Sequence, residues 1–146
     1  MRQSVPITGW AASSLRMKSL LLVEDNQDNA DLLRDLLSDR YRLAVFPDGP
    51  STLAALLKPE AIVPDLLLLD ISLPGLDGTS LLHQIRLLPH LKSVPALALT
   101  AHAMRSDRET LIRAGFNGYL SKPIVDEQLL LDAIEAHTAL QAKVAA

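Results

Sequence analysis

The sequence predicts an α/β fold, a doubly wound sheet of five parallel strands with helices on both faces. Two observations predict it. Short apolar runs of about five residues alternate with helical segments along the chain, which is the pattern of parallel strands joined by crossover helices. Runs such as Leu66-Leu67-Leu68-Leu69 also lack the polar alternation of a half-exposed strand. Helices must therefore cover both faces of the sheet.

The composition fits one domain and excludes several classes of function. The chain has 146 residues, 49% hydrophobic and 21% charged, which is enough for a single core that buries about 70% of the unfolded surface. The net charge of -3 and the lack of a Lys/Arg cluster argue against direct nucleic-acid binding. There is no cysteine and no apolar stretch long enough for membrane insertion. We expect a cytoplasmic protein.

The domain is predicted to occupy residues 18–141. Residues 1–17 mix Ser, Pro, Thr and Gly with isolated apolar residues. They show no helical or strand period, which is typical of a flexible arm. Residues 142–146 are left as a short tail.

The first predicted strand is Ser19-Leu20-Leu21-Leu22-Val23, and it stops at Glu24-Asp25. Asn26 is a suitable N-cap for the helix that follows. From residue 27 to about residue 39, apolar side chains recur at helical spacing while acidic ones lie between them, which indicates an amphipathic surface helix.

The second strand, residues 41–46, is predicted to lie at an edge of the sheet. It carries Arg42 and ends in Pro-Asp-Gly. Pro50 suits the first turn of the next helix, which runs to about residue 58. A loop at residues 59–64 then leads into the third strand, which ends on Asp70 and is followed by a Leu-Pro-Gly turn. Asp77 begins a helix that extends through Leu88.

The remaining elements alternate in the same way. The fourth strand covers residues 95–100, and its following helix runs from about residue 106 to Ala114, where Gly115 terminates it. Residues 117–120 form a short fifth strand, and a Ser-Lys-Pro turn leads to a last helix from residue 126 to about residue 142.

Polar side chains follow the predicted strands where those strands end. Glu24 and Asp25 follow the first strand, Asp70 ends the third, Thr100 ends the fourth and Lys122 comes just after the fifth. In the flavodoxin-like order 2-1-3-4-5 the first and third strands are neighbours, so their ends share one rim. Taken singly, each group has a local explanation as a helix cap, a turn residue or a solvated charge. Their joint occurrence indicates a functional site.

The acidic groups of this rim indicate a cation site. Three carboxylates close together repel each other and drive a proton onto one of them unless a cation intervenes. A hard divalent ion with oxygen ligands, such as Mg²⁺, resolves that repulsion. Lys122 adds a second cation, and a compact ammonium suits a phosphate oxygen.

Four motifs follow one another along the chain around these strand ends. They are Leu22-Val23-Glu24-Asp25-Asn26, Leu68-Leu69-Asp70-Ile71-Ser72-Leu73-Pro74-Gly75-Leu76-Asp77-Gly78, Leu99-Thr100-Ala101 and Gly118-Tyr119-Leu120-Ser121-Lys122-Pro123-Ile124. As an ordered set they resemble the receiver domains of two-component response regulators, and the resemblance covers residues 18–141. It implies a single-domain response regulator, which is a phosphoacceptor with autophosphorylation and autodephosphorylation chemistry and no turnover of a separate substrate.

The resemblance also implies chemical roles for the residues at the strand ends. Asp70 would accept a phosphoryl group from a sensor histidine kinase or a histidine phosphotransfer protein. Mg²⁺, or Mn²⁺ in its place, would be bound by Asp25, Asp70 and the Ser72 carbonyl, with Glu24 acting through water. The groups implied in phosphate binding are Thr100, Ala101 and Lys122.

Further residues are implied in signalling. Thr100 and Tyr119 would form a switch that reshapes the face made by the fourth helix, fifth strand and fifth helix. Ser72 and His102 would tune the lifetime of the phosphate, and Lys122-Pro123 would be a cis peptide. The surface presented to the kinase would include Asn29, Ala30 and Leu33.

The downstream target stays open at this point. A stand-alone receiver can bind a target, form a homodimer, pass the phosphoryl group onward in a phosphorelay, or act as a phosphorylation-independent scaffold. Two other classes share the architecture but fit less well. A haloacid-dehalogenase-type phosphatase would need a second Asp where Ser72 stands, and a flavodoxin-like or dinucleotide-binding module would need a Gly-rich loop after the first strand.

Overall fold

The computed structural model describes residues 17–61, 63–101 and 105–145. The predictions for the first 16 residues and for His102 fall outside these ranges. Within them the chain forms five strands and five α-helices in strict alternation. The strands are β1 (Ser19–Val23), β2 (Arg42–Phe46), β3 (Leu66–Asp70), β4 (Ala96–Thr100) and β5 (Gly118–Ser121); the helices are α1 (Gln27–Leu37), α2 (Gly49–Leu56), α3 (Gly78–Arg86), α4 (Arg105–Arg113) and α5 (Glu127–Ala145).

The five strands form one parallel sheet in the order β2-β1-β3-β4-β5. This confirms the predicted fold class, including the edge position of β2. Side chains on the central strands point alternately to the two faces of the sheet. Leu21, Leu67 and Leu69 face a core that α2, α3 and α4 complete. Leu20 and Leu68 face a second core that α1 and α5 complete, so both faces are covered.

Local sequence determines where the helices begin. Asn26 caps α1 as predicted, because its side chain accepts a hydrogen bond from the amide of Asn29 at 3.0 Å. Asp48 and Asp77 cap α2 and α3 in the same way. Each side chain accepts a hydrogen bond from the amide of the third residue of its helix, Ser51 in α2 and Ser80 in α3. Such caps satisfy backbone donors that have no partner within the helix.

The helix ends differ from the predicted ones by one to three residues, with α1 ending at Leu37 and α2 at Leu56. α3 ends at Arg86, because Pro89 favours extended backbone at Leu88, and the chain then forms a short 3-10 helix, Pro89–Leu91. α5 continues to Ala145, past the end predicted near residue 142. Gly115 follows α4 with a φ of 109°, which confirms its predicted role in ending that helix.

The Lys122-Pro123 peptide is cis, as predicted. Among the helices of the described residues, none has both the length and the apolar character needed to cross a membrane.

Candidate functional site

The parallel register of the strands brings the predicted polar groups together at one rim of the sheet. Val23 pairs with Leu69, so Glu24 and Asp25 follow β1 directly beside the end of β3. One carboxylate oxygen from each of Glu24, Asp25 and Asp70 lies within 4.8 Å of the others. The Lys122 Nζ lies 2.9 Å from Asp70 Oδ2 and 3.4 Å from Glu24 Oε1. The structure therefore brings together the acidic groups and the lysine that the sequence predicted.

The cluster is buried on one side and open on the other. Glu24 is 2% exposed and Asp70 is 1% exposed, whereas Asp25 is exposed to solvent. Backbone amides hold both buried carboxylates, since Ser72 N donates to Asp70 Oδ1 at 2.9 Å and Asn26 N donates to Glu24 Oε2 at 3.2 Å. A ligand that reaches this site enters from the side of Asp25.

The charges of the cluster do not balance, and the pKa values reflect this. Burial, and then the neighbouring Asp70 carboxylate, raise the pKa of Glu24 from 4.5 to about 7. Burial also opposes ionisation of Asp70, but its hydrogen bonds with Glu24, Lys122 and the Ser72 amide together hold the pKa of Asp70 below its usual value. Asp70 is therefore the ionised member of the buried pair.

Lys122 compensates only part of this negative charge. Burial disfavours its ammonium, but the hydrogen bond to Asp70 and the charges of Asp70 and Glu24 outweigh burial and raise the pKa of Lys122. One ammonium faces three carboxylates. One oxygen atom from each carboxylate lies close enough to the others for all three to bind a single ion. This donor set fits a hard divalent cation such as Mg²⁺.

The predicted switch residues lie on the strands next to the acidic cluster. Thr100 is buried at the end of β4, paired in register with Ser121, and Ala101 follows it on the exposed rim. Tyr119, one strand further, is half-buried and packs against the core beneath α4. The guanidinium of Arg108 on α4 lies 5.7 Å from the centre of its ring.

The three predicted kinase-contact residues differ in exposure. Ala30 is 3% exposed and Leu33 is 2% exposed, because α1 turns both toward the core, while Asn29 is half-buried. Two apolar side chains whose exposure the sequence did not reveal line a pocket after β5: Val125 is 87% exposed and Leu129 is 60% exposed. A narrow pocket lies between α1 and the turn after β5, lined by Asn29, Leu32, Leu33, Lys122, Pro123 and Ile124, and also by Glu24 of the acidic cluster.

Gly78 is another residue whose relation to the site the sequence did not reveal. Its identity suggested only the beginning of α3. In the structure its Cα faces the backbone carbonyl of Asp70 so closely that a Cβ at this position would collide with it.

Comparison with known proteins gives a consistent result. A family model described as the response regulator receiver domain matches residues 20–135. The polar-differentiation response regulator DivK of Brucella anthropi is 37% identical over 108 residues, which cover 73% of this chain and 85% of DivK. The signal transduction histidine-protein kinase BarA of Escherichia coli K12 is 37% identical over 125 residues, or 86% of this chain but 13% of the kinase.

One similar solved structure contains a bound metal ion. The receiver domain of the sensor histidine kinase PA1611 from Pseudomonas aeruginosa PAO1 is 33% identical, with a TM-score of 0.75. The similarity covers 84% of this chain and 98% of that domain, and that structure has a magnesium ion coordinated in its active-site cleft.

Proposed function

The chain belongs to the family of response regulator receiver domains, and from this premise we propose that Asp70 is its phosphoacceptor. Receiver domains accept a phosphoryl group and do not turn over a separate substrate. The observation that carries the proposal is the surroundings of Asp70, a buried and ionised carboxylate at a strand end. It has an ammonium 2.9 Å away and two further acids beside it.

In the proposed reaction an oxygen of Asp70 attacks the phosphorus of a phosphohistidine on a sensor kinase or phosphotransfer protein. The phosphorus–nitrogen bond breaks, its electron pair stays on the imidazole nitrogen, and Asp70 becomes an acyl phosphate. Such transfers depend mainly on positioning and on neutralising the phosphoryl oxygens. Because the pKa of Asp70 is held low, no base is needed to activate it.

The neighbouring residues supply the rest of the chemistry. Glu24, Asp25, Asp70 and the Ser72 carbonyl would hold Mg²⁺, or Mn²⁺ in its place, and the bound ion would neutralise charge on the phosphoryl group. Lys122 already contacts Asp70, so its ammonium is placed to meet a phosphoryl oxygen. Thr100 and Ala101 would bind the phosphate from the end of β4.

We further propose that the acyl phosphate is a timed signal. Hydrolysis by water would return Asp70 to its carboxylate, at a rate that Ser72 and His102 tune. While phosphorylated, Asp70 would draw Thr100 toward the phosphate and let Tyr119 rotate inward. That would reshape the face of α4, β5 and α5, which is the surface proposed for a target or for a second copy of the chain.

The proposed docking surface for the phosphodonor is the rim beside α1. Asn29 and the exposed Leu32 line the pocket beside α1. The exposed side chains of Val125 and Leu129 line a second pocket, which shares Pro123 and Ile124 with the first. This apolar surface adjoins Lys122, so a helical donor seated there can bring its phosphohistidine toward Asp70. Of the predicted contacts, Ala30 and Leu33 would act by shaping the pocket from inside the core. The cytoplasm stays the predicted location, and onward relay of the phosphoryl group stays the alternative output.

The first test is covalent modification. The protein is incubated with Mg²⁺ and acetyl phosphate, and the intact masses of wild type and Asp70→Asn are compared. We expect one added phosphoryl group on wild type, none without Mg²⁺, and none on Asp70→Asn. Asp28→Asn, which changes an exposed acid in the first turn of α1, serves as the matched control and should be modified like wild type.

A second measurement serves the case in which the acyl phosphate hydrolyses too fast to be detected by mass. Beryllofluoride, a stable phosphoryl mimic, should shift the nuclear magnetic resonance (NMR) signals of Thr100 and Tyr119 in wild type but not in Asp70→Asn. Modification of Asp70→Asn to the same extent as wild type would assign the phosphoryl group to another residue. If wild type gave neither an adduct nor a beryllofluoride response, a phosphorylation-independent scaffold would replace the proposal.

A further inference from the structure

Gly78, the first residue of α3, lies against the end of the strand that carries Asp70. A Cβ built on Gly78 would lie 2.3 Å from the backbone oxygen of Asp70 and 2.9 Å from the Cα of Ile71. Both contacts are with backbone atoms, which cannot rotate away as a long side chain can. Any side chain at this position therefore forces α3 and the end of β3 apart.

The loop between β3 and α3 transmits such a displacement to the site. Gly78 N donates to the carbonyl of Ile71 at 3.1 Å, which closes the loop on itself. Inside the loop, Ser72 N donates to Asp70 Oδ1 at 2.9 Å. The start of α3, the backbone of Ile71 and the carboxylate of Asp70 are thus linked by consecutive hydrogen bonds. A shift of α3 moves the groups that Asp70 and Ser72 offer to a ligand.

A second glycine contacts the same loop more loosely. A Cβ built on Gly49, at the start of α2, would lie 2.7 Å from Cδ2 of Leu76. That atom is the end of a flexible side chain, so it can move with a smaller effect on the loop backbone. Alanine at Gly49 should therefore displace the loop less than alanine at Gly78, and the two substitutions can be compared.

We propose that Gly78 is a positioning residue for the phosphoacceptor site, because its missing side chain lets α3 begin directly behind Asp70. This contact sets the distance between the Asp70 carboxylate and the Ser72 carbonyl. The inference rests on the function proposed for those two groups. Loss of supporting contacts around metal ligands typically weakens metal binding about 10-fold or more, and we expect a loss of that order in Gly78→Ala.

The experiment compares Gly78→Ala and Gly49→Ala with Gly115→Ala. Gly115 has a φ of 109°, and its nearest neighbour to an added Cβ is a side-chain atom of Leu82 at 3.6 Å. Alanine there strains the backbone far from the site, so it controls for a general loss of stability. Three quantities are measured on each folded variant: the metal-free NMR amide shifts of Ile71 and Ser72, the Mg²⁺ dissociation constant from titration of those signals, and the free energy of unfolding in urea.

We expect Gly78→Ala to move the metal-free amide shifts of Ile71 and Ser72 and to weaken Mg²⁺ binding about 10-fold or more. Gly115→Ala should leave both unchanged while it lowers the free energy of unfolding. Phosphorylation by acetyl phosphate should slow in parallel with the loss of Mg²⁺ affinity. If Gly78→Ala loses stability but keeps the wild-type Mg²⁺ affinity, Gly78 is only structural and the proposal is wrong.

Two further outcomes are decided by a second glycine variant and by the wild-type protein. If Gly78→Ala does not fold, Gly49→Ala is measured in its place. This variant should weaken Mg²⁺ binding by less than the roughly 10-fold expected for Gly78→Ala. Adding Leu76→Ala to Gly49→Ala should restore the affinity, because it makes room for the new Cβ. Unchanged affinity in Gly49→Ala would then overturn the proposal. Wild-type protein that neither binds Mg²⁺ nor accepts a phosphoryl group would instead withdraw the proposed function, and this inference with it.

Discussion

Two clusters of charged side chains lie at opposite ends of the sheet, and they differ in how their charges balance. At the carboxyl ends of the strands, three acids share one lysine. At the other end, before β1, Lys18 Nζ contacts Glu135 Oε1 at 3.0 Å and Thr138 Oγ1 at 2.9 Å, while the hydroxyl of Tyr41 donates to Glu135 Oε2 at 2.5 Å. One acid here meets one lysine and one hydroxyl group, and the lysine has a second partner in the Thr138 hydroxyl.

The difference separates a site from a structural contact. In the cluster around Glu135 every charge has a partner within the chain, so the cluster is complete without a ligand. In the acidic cluster burial, and then the neighbouring Asp70 carboxylate, raise the pKa of Glu24 to about 7, and the single lysine does not offset this shift. Such an imbalance is typical of functional sites, and it is the feature that fits the proposed cation and phosphoryl group. Four predictions test this contrast, in order of decreasing effect.

The largest effect is expected from Lys122→Met in metal-free protein. The substitution leaves the buried carboxylates of Asp70 and Glu24 without their shared cation, so the free energy of unfolding should fall by about 3 kcal/mol or more. Excess Mg²⁺ should restore part of the loss. Urea denaturation with chelator and with Mg²⁺ measures both quantities, with Lys92→Met, an exposed lysine, as control. A loss no larger than that of the control would show that the acidic cluster needs no compensation.

A pH dependence should follow from Glu24. Its pKa is 4.5 in the unfolded chain and about 7 in the folded, metal-free protein, so between these values the folded state binds more protons. Stability should therefore fall as pH rises from about 4.5 to above 7, by up to about 3 kcal/mol. Glu24→Gln should remove this slope, and Mg²⁺, which is proposed to bind the ionised form, should reduce it. A flat metal-free profile in wild type would contradict the raised pKa.

At the other cluster, Tyr41→Phe should cost only about 1 kcal/mol, the typical net value of one hydrogen bond. Burial, and then the bond to Glu135, raise the pKa of Tyr41 above its usual 10.0. Wild type should therefore lose stability above pH 10, where the unfolded state releases this proton, and Tyr41→Phe should lose less. Thermal unfolding across this pH range tests the difference. Phosphorylation of Asp70 should be unaffected, and a slower rate would show that the two clusters are coupled.

The smallest effect is expected from Glu135→Gln, about 0.5 kcal/mol, because the ion pair with Lys18 is half-exposed to solvent. Hydrogen bonds from Tyr41 and Lys18 lower the pKa of Glu135, so its contribution is present above pH 4.5 and lost as pH falls below it. Acid unfolding of wild type and Glu135→Gln should therefore converge at low pH. A loss of several kcal/mol at neutral pH would place this cluster among the buried ion pairs.

Much of the fold and of the acidic cluster could be predicted because local sequence determines them. Apolar runs of about five residues gave the strands, and Asn26 and Gly115 marked helix ends through interactions with backbone only a few residues away. Parallel strands place their carboxyl ends on one rim. That rule was enough to bring Glu24, Asp70 and Lys122 together before any distance was known.

The exposure of single apolar residues could not be predicted in the same way. Leu129 and Leu130 are adjacent and identical in type, yet Leu130 lies in the core and Leu129 is open to solvent at the proposed docking surface. Which of them is buried depends on how α5 rotates against β5 and α1. That rotation is set by packing between segments distant in sequence.

The sequence by itself determined the five-stranded alternation, the helix caps and the set of groups at the strand ends, because these depend on periodicity and on short-range backbone chemistry. Tertiary structure decided the burial of Glu24 and Asp70, the burial of Ala30 and Leu33, and the contact of Gly78 with the Asp70 carbonyl. These depend on distances between separate segments, and only the packed fold determines such distances.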